Sequence, residues 1–284
     1  MRVKNSVIVV TGASSGFGEA IARNAAKRGA TVVLLARSTN ALEKIAAEIN
    51  AEEKGRAHFF SVDLSKESEI LSVSTKIKSQ IGIPDALVNN AGIGNWLSLQ
   101  ETPIEDISNM LRVPLLAAML ITKVFLDDMV NEEKPKSIIN ISTPAAYLKI
   151  PGACCYAVAR AGIKAFHDQL QLELRNTEVK TSLIIPGEAN TPYFSNNPIS
   201  KERIPRLGSL TRILEPEEVA KTVVDTIENG RKEVIFPFVL KAFIRLNQIC
   251  SLFIQPLITY VLAWKPPTKE QRIAAKKAEE LKIE

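Results

Sequence analysis

Short runs of consecutive apolar, mostly β-branched residues alternate with longer segments of helical periodicity along residues 1–237. Apolar runs of this length predict strands that are buried on both faces, and the longer segments predict amphipathic helices. Strands alternating with helices are typical of a parallel sheet covered on both faces, so the pattern predicts a doubly wound α/β fold of about seven strands. The predicted strands are 7–10, 31–35, 57–62, 85–88, 137–142, 180–185 and 233–236.

The helical segments between these strands complete the predicted architecture. They cover residues 19–28, 40–50, 66–80, 103–128, 153–176 and 215–229, and Pro114 interrupts the fourth of them. Residues 188–212 are rich in Asn, Pro and Ser, which predicts a loop long enough to form a lid over a site. Because no internal repeat divides residues 1–237, we expect one domain there, followed by a helical extension at 238–284.

The first strand runs directly into a glycine-rich turn, Thr11-Gly-Ala-Ser-Ser-Gly-Phe-Gly18, and then into the first helix. This order aims backbone N–H groups and the positive end of a helix at a phosphate. Glycine is needed because a Cβ would hold the phosphate away or forbid the turn. The residues predicted to bind the phosphates of a dinucleotide are Gly12, Ser14, Ser15, Gly16, Phe17 and Gly18.

Polar residues follow the next three strands, at the edge where a doubly wound sheet binds its ligand. Arg37 ends the second strand, where an arginine fits the 2′-phosphate of NADP(H) better than the ribose of NAD(H), unless it is an ordinary solvated side chain. Asp63 follows the third strand and can accept from an adenine amino group or cap the next helix. In Asn89-Asn90-Ala91-Gly92, asparagine can pair with orphan backbone groups, and glycine leaves room for a ribose.

Composition and charge exclude several other classes of function. The net charge is +5 with a pI near 9.0, but no basic cluster is interleaved with aromatic residues, which argues against nucleic-acid binding. An anionic cofactor or a membrane surface accounts for the excess of positive charge more simply. Three cysteines indicate no disulfide framework, and two histidines without ligand spacing indicate no metal site. Because the first residues lead directly into a strand, we expect a cytoplasmic or cytosol-facing membrane-associated protein.

Taken together, these motifs make the chain resemble the short-chain dehydrogenase/reductase family. The matching residues are Thr11-Gly12-x-x-x-Gly16-x-Gly18, Asp63, Asn89-Asn90-Ala91-Gly92, Tyr156 and Pro186-Gly187 with Thr191, and they span about 180 residues in the family's order. The resemblance implies a Rossmann-like fold and an NAD(P)-dependent oxidoreductase. It also implies that Asn90, Tyr156, Arg160, Pro186, Gly187 and Thr191 contact the cofactor.

The residues in the family's catalytic positions depart from its usual pattern. The family uses a serine, a tyrosine, a lysine four residues after it, and an asparagine in the long preceding helix. Tyr156 matches the tyrosine, whereas Arg160 stands for the lysine, Thr143 for the serine and Pro114 for the asparagine. By resemblance, Tyr156, Arg160 and Thr143 are the predicted catalytic residues.

Physical chemistry allows this altered set to retain activity. Tyr156 and Arg160 are four residues apart on a predicted helix, so they share a face, and a cation beside a phenol favours the phenolate. Thr143 keeps a hydroxyl that can orient a substrate oxygen. Pro114 has neither a backbone N–H nor a side-chain amide. Ser142 is a poor substitute for Thr143, because neighbouring strand residues point to opposite faces.

The C-terminal extension contains 19 consecutive uncharged residues, 246–264, flanked by Lys241, Arg245 and Lys265. The length suffices for a membrane span, but two glutamines, an asparagine and Pro256 favour two shorter amphipathic helices. We expect residues 238–264 to contact a membrane surface; a lid and a homodimer contact are the alternatives. The charged stretch at 268–284 predicts a helix or tail.

The sequence as a whole predicts an oxidoreductase that uses NADP(H) to interconvert an apolar carbonyl, such as a lipid, retinoid or steroid, and its alcohol. The apolar residues expected to flank the crevice are Trp96, Leu97, Tyr147, Leu148, Ile150 and Phe194. The altered catalytic positions support an alternative, a cofactor-binding scaffold or redox sensor. The C-terminal extension alone would support a membrane-tethered lipid-binding module.

Overall fold

A seven-stranded, all-parallel sheet with the strand order β3-β2-β1-β4-β5-β6-β7 forms the centre of the computed structural model. The structure describes residues 1–52, 56–193, 212–254, 256, 268–270 and 273. The order reverses beside β1, as it does in a doubly wound sheet, and places the carboxyl ends of β1 and β4 next to each other. The predicted fold class is confirmed.

Each predicted strand differs from the observed one by no more than one residue at either end. The strands are β1 Val7–Thr11, β2 Thr31–Ala36, β3 Arg56–Ser61, β4 Ala86–Asn89, β5 Lys136–Ile141, β6 Val179–Pro186 and β7 Glu233–Phe236. Central strands of a parallel sheet are buried on both faces, so their apolar runs mark their extent in the sequence.

Helices cover both faces of the sheet. They are α1 Gly16–Lys27, α2 Thr39–Asn50, α3 Glu67–Gln80, α4 Ile104–Leu111, α5 Ala117–Asn131, α6 Cys154–Glu173, α7 Pro216–Asn229 and α8 Phe238–Ile249. The predicted helix 103–128 is divided, because a π-helical turn, Arg112–Leu116, separates α4 from α5. Pro114 lies in this turn, and a residue without an N–H cannot continue the α-helical hydrogen-bond pattern.

Alternating side chains of the strands fill two hydrophobic layers. On β1, Ile8 and Val10 pack with α1, α2 and α7, whereas Val9 packs with α3, α5 and α6. The sheet is therefore enclosed on both faces, and its carboxyl edge is the part of the sheet available to a ligand.

A chain of buried polar side chains crosses β4, β5 and β6. Asn89 donates to Asn140 at 2.9 Å and to Thr122 at 3.1 Å, and Asn140 donates to Thr181 at 3.5 Å. The Nδ1 of His167 on α6 lies 3.0 Å from the Thr181 hydroxyl. Burial lowers the pKa of His167 below its ordinary value near 6.5, although the nearby carboxylates of Asp168 and Glu233 act in the opposite direction.

Helix α8, the first part of the C-terminal extension, packs against the edge of the sheet at β6 and β7. Its Ile244 is buried in a cluster with Leu183, Ile185 and Ile235. The helix is therefore attached to the sheet through its own apolar face.

Candidate active site

The glycine-rich turn lies between the end of β1 and the start of α1, as predicted. Gly12 and Gly16 have φ values of +67° and +57°, a conformation that favours glycine. A Cβ on Gly18 would lie 2.1 Å from the carbonyl oxygen of Gly12, so Gly18 is needed for the close approach of α1 to the turn. Helix α1 begins at Gly16, three residues before the predicted start, with Ser15 as its N-cap.

Thr11 and Asn90 hold this turn against the end of β4. The Thr11 hydroxyl donates to the Val88 carbonyl at 3.1 Å and accepts from the backbone N–H groups of Asn90 and Ala91, each at 3.0 Å. The side-chain amide of Asn90 donates to the carbonyls of Thr11 at 3.0 Å and Gly12 at 3.4 Å. The prediction that an asparagine pairs with backbone groups where this strand becomes a loop is confirmed.

A cleft of about 1020 Å³ lies at the carboxyl edge of the sheet. Among the residues predicted to bind the cofactor or to act in catalysis, Gly18 is the one that does not line it, because it lies behind the turn. The predicted site residues that do line the cleft are Gly12, Ser14, Ser15, Gly16, Phe17, Arg37, Asp63, Asn90, Thr143, Tyr156, Arg160, Pro186, Gly187 and Thr191.

Arg37 and Asp63 lie at one end of the cleft. Arg37 is exposed and forms no ion pair with any residue that the structure describes. The Asp63 carboxylate accepts from the backbone N–H of Ser65 at 3.0 Å and from its hydroxyl at 2.8 Å, and these bonds lower the pKa of Asp63. Helix α3 has Lys66 as its N-cap, so Asp63 is not the cap of the next helix and instead forms the turn that precedes it.

Tyr156 and Arg160 lie together in the buried wall of the cleft. Both side chains belong to α6, and each residue is 8% exposed. The guanidinium carbon of Arg160 lies 5.2 Å from the centroid of the Tyr156 ring. The Trp96 ring packs on Tyr156 with 5.9 Å between centroids. The expectation that residues 156 and 160 share a helix face is confirmed.

The guanidinium of Arg160 is a buried cation without a carboxylate partner in the described part of the chain. Its Nε has no hydrogen-bond partner there. A Cβ on Gly92 would lie 2.4 Å from Nη2, so the guanidinium fills the space that the absent side chain leaves. The sequence pattern suggested that Gly92 makes room for a ribose; in the structure it makes room for Arg160. A buried cation in a cleft favours an anionic or strongly polar ligand.

Ser142 and Thr143 directly follow β5, and their hydroxyl groups have different hydrogen-bond partners. Thr143 is the N-cap of a short 3₁₀ helix, Pro144–Ala146, and its hydroxyl accepts from the Ala145 N–H at 3.2 Å. This leaves the hydroxyl hydrogen of Thr143 available to donate into the cleft. The buried Ser142 hydroxyl donates to the carbonyl of Arg160 at 2.9 Å, which supports α6 from behind.

Only some of the apolar residues that were predicted to flank the crevice line the cleft. Trp96, Leu148 and Ile150 line it. Leu97 and Tyr147 do not, and Phe194 lies outside the described residues. The Tyr147 hydroxyl donates to the Glu233 carboxylate, and burial together with this bond raises the pKa of Tyr147.

Sequence reasoning missed several lining residues: Ile93, Asn109, Val113, Tyr193, Val239, Leu240 and Phe243. The last three belong to α8, in the extension predicted to contact a membrane. The amphipathic helices predicted for this extension imply an apolar face, but the sequence could not show that such a face closes the cleft.

Comparisons with known proteins give a consistent family assignment. Residues 6–201 match the short chain dehydrogenase family. Dehydrogenase/reductase SDR family member 7B of Mus musculus is 29% identical over 240 residues, covering 82% of this chain and 73% of that protein. Human 17-beta-hydroxysteroid dehydrogenase 13 is 29% identical over 250 residues, covering 87% of this chain and 79% of that protein.

Solved structures share the fold. The alcohol dehydrogenase of Thermococcus sibiricus, complexed with 5-hydroxy-NADP, is 28% identical with a TM-score of 0.72, covering 82% of this chain and 96% of that one. A short-chain dehydrogenase/reductase of Burkholderia phymatum in complex with NAD is 23% identical with a TM-score of 0.78, covering 94% and 98%. The glycine turn, the tyrosine on α6 and the family match together show that the chain belongs to the short-chain dehydrogenase/reductase family of NAD(P)-dependent oxidoreductases.

Proposed function

We propose that the protein prefers NADP(H) and interconverts an apolar carbonyl compound and its alcohol. The observation that carries this proposal is the placement of Tyr156 and Arg160 in the buried wall of one cleft. That cleft has the glycine turn and Arg37 at one side and an apolar pocket at the other. Oxidoreductases of this kind need a dinucleotide site and a proton donor that open into the same space.

Two observations support the binding of a dinucleotide in this cleft. Gly12 and Gly16 line the cleft with φ values of +67° and +57°, so the turn between β1 and α1 has the glycine conformation that a pyrophosphate-binding turn requires. Arg160 is a buried cation whose Nε has no hydrogen-bond partner among the described residues. We assign the pyrophosphate to residues 12–17, the adenosine end to Arg37 and Asp63, and the nicotinamide end to Arg160 and residues 186–191.

The preference for NADP(H) over NAD(H) rests on Arg37. Its guanidinium forms no ion pair with the described residues, so it can offer a fork of donors to a 2′-phosphate. A carboxylate at the end of β2, which would favour NAD(H), is absent from the sequence Leu35-Ala36-Arg37. The Thermococcus relative was solved with an NADP derivative, which supports the same preference.

Tyr156 is the proposed proton donor when the carbonyl is reduced, and the proton acceptor when the alcohol is oxidised. A nicotinamide bound in the cleft would supply or accept the hydride. The guanidinium of Arg160 lies over the Tyr156 ring, with Cζ 5.2 Å from the ring centroid, and so places a positive charge beside the proposed proton donor. The Thr143 hydroxyl, whose oxygen already accepts from Ala145, donates to the substrate oxygen and orients it.

Compared with the family pattern, Arg160 keeps the charge of the usual lysine and adds a larger, planar group. Gly92 accommodates this extra size, since its missing side chain leaves the space that the guanidinium fills. We infer that the space beside Gly92 allows Arg160 to replace the family's lysine and keeps the site active.

The apolar substrate class rests on the other half of the cleft, which Trp96, Leu148 and Ile150 line together with Leu240 and Phe243 of α8. Such a surface gains free energy from burying apolar atoms, about 25 cal/mol per Å². The name of the human relative refers to a hydroxysteroid, a substrate that is itself largely apolar.

The test is NADPH oxidation with a panel of apolar ketones, retinoids, steroids and long-chain carbonyl compounds. Tyr156→Phe should lower turnover by about 10²–10⁴-fold with nearly unchanged NADPH affinity, because a positioned acid contributes that much. Tyr147→Phe is the matched control, since its hydroxyl bonds Glu233 and the residue does not line the cleft. It should retain turnover.

NADPH binding without turnover by the unmodified protein would favour a cofactor-binding scaffold. Pro114 in the π-helical turn motivates this alternative, because proline cannot supply the amide found at that position in the family. Tight NADPH binding without turnover on any substrate, followed by turnover in an Arg160→Lys, Thr143→Ser, Pro114→Asn triple variant, would overturn the proposed activity.

A further inference from the structure

Helix α8 exposes a row of apolar side chains on the side that faces away from the sheet. Phe238, Ala242, Leu246 and Ile249 follow one another at intervals of three or four residues, and Phe253, in the helical segment that follows Cys250, is exposed as well. Phe238 is 79% exposed, Leu246 53%, Ile249 82% and Phe253 81%. We call these five residues the outer stripe.

The opposite side of α8 is already engaged with the protein. Ile244 and Asn247 are buried, and Leu240 and Phe243 line the cleft. A helix on the surface of a water-soluble domain normally carries polar residues on its outer side. A row of large exposed apolar side chains on a helix whose inner face is satisfied therefore marks a surface that binds something.

The charge around the outer stripe is almost entirely positive. Residues 230–254 contain four basic residues, Arg231, Lys232, Lys241 and Arg245, all of which are exposed. Glu233 is the single acidic residue in that range, and its carboxylate is already bonded to Tyr147 and Arg245. The chain then continues without any charged residue through position 264.

We propose that the outer stripe docks on the surface of an anionic lipid bilayer, with α8 lying in the plane of the interface. Apolar side chains with basic neighbours and no free acid suit this partner, because the side chains enter the acyl boundary while the cations meet anionic headgroups. Within the described residues, no helix is both long and apolar enough to cross a membrane.

Docking in this way would place the cleft next to the bilayer. Leu240 and Phe243 line the cleft from the same helix that carries the outer stripe. An α-helix with its side chains is about 10 Å across, so an apolar substrate in the lipid would be one helix width from the pocket. This consequence rests on the proposed function, whereas docking itself does not.

Point substitutions test the proposal better than removal of residues 238–284. Truncation would delete Ile244, which is fully buried, and three residues that line the cleft, so loss of folding would be confused with loss of binding. The triple substitution Phe238→Ser, Ile249→Ser and Phe253→Ser changes only highly exposed side chains. Leu71→Ser on α3, where the leucine is 56% exposed, is the matched control.

The experiment is flotation of the full-length protein with vesicles of phosphatidylcholine alone or with 30% phosphatidylserine. We expect binding to the anionic vesicles that weakens as salt is raised, and a loss of at least tenfold in the triple variant but not in Leu71→Ser. Thermal unfolding and NADPH binding should be unchanged in both variants. These controls keep a folding defect, or failure of the proposed enzymatic function, apart from failure of docking.

Three results would overturn the proposal. The first is equal vesicle binding by the unmodified protein and the triple variant. The second is no binding of the unmodified protein to anionic vesicles at low salt. The third is a dimer of the unmodified protein that the triple variant converts to a monomer without changing vesicle binding, which would make the outer stripe a contact between copies of this chain.

Discussion

The contact between Gly92 and Arg160 offers a sharp test of how the buried cation is positioned. Gly92 does not have a positive φ, so alanine can adopt its backbone conformation without strain. The new methyl would lie 2.4 Å from Nη2 and 3.1 Å from both Cζ and Nη1 of Arg160. Ordinary contacts between carbon-sized atoms are about 3.5–4.0 Å. Gly92→Ala therefore requires the guanidinium to move by roughly 1 Å.

The magnitude follows from the cost of overpacking a buried site. Inserting a methyl into a packed region costs about 1–3 kcal/mol. Arg160→Lys removes all three guanidinium atoms that the methyl would meet, so in that background Gly92→Ala should cost less than about 0.5 kcal/mol. The double-mutant cycle should then show a coupling of about 1 kcal/mol or more, within the range of residues in contact.

The assay is urea unfolding of the four proteins, with NADPH affinity and turnover measured in parallel. Arg160→Lys alone should change turnover by less than about tenfold, or roughly 1.4 kcal/mol of barrier, if the arginine serves in place of the family's lysine. Gly162→Ala is the matched control, because its methyl would lie 2.6 Å from the Leu115 side chain and not against the guanidinium. Its cost should be similar in both backgrounds. Additive costs for Gly92→Ala and Arg160→Lys would refute the inferred packing.

Two further predictions concern the cofactor and the pH dependence of stability. NADPH should bind at least about tenfold more tightly than NADH, a difference of roughly 1.4 kcal/mol in binding free energy. In a binding titration, Arg37→Asp should erase or reverse this preference. Equal affinities of the unmodified protein for NADPH and NADH would contradict the prediction. The lowered pKa of folded His167 means that the unfolded chain takes up the proton first. When the pH is lowered from 7.5 to 5.5, the free energy of unfolding should therefore fall by up to about 1.4 kcal/mol more in the unmodified protein than in His167→Gln. Urea titrations at several pH values measure this difference. An equal fall in the free energy of unfolding of both proteins would contradict the prediction.

Much of the fold could be predicted because each strand can be recognised from the residues of its own short segment. A strand buried on both faces must be apolar along its whole length, so the run at β1 has a visible beginning and end. Helix starts depend on capping geometry, which a glycine turn obscures, and α1 accordingly begins at Gly16, three residues before the predicted start. Pro114 was an unambiguous interruption of its helix, but the π-helical form of the break was not predictable.

The candidate site could be predicted as a set of residues but not as a set of contacts. Spacing alone placed Tyr156 and Arg160 on one helix face, because positions four apart are neighbours on a helix. It could not show that the Arg160 guanidinium fills the space beside Gly92. That contact joins the loop after β4 to α6, two elements far apart in the chain.

The sequence by itself determined the parallel sheet, the glycine turn and the presence of an apolar C-terminal helix, since each depends on the order of residues within one short segment. Only the tertiary structure decided how that helix is used. Leu240 and Phe243 close the cleft, while Phe238 and Ile249 face outward. A hydrophobic pattern states which residues avoid water, and the surface that covers each of them is set by elements elsewhere in the chain.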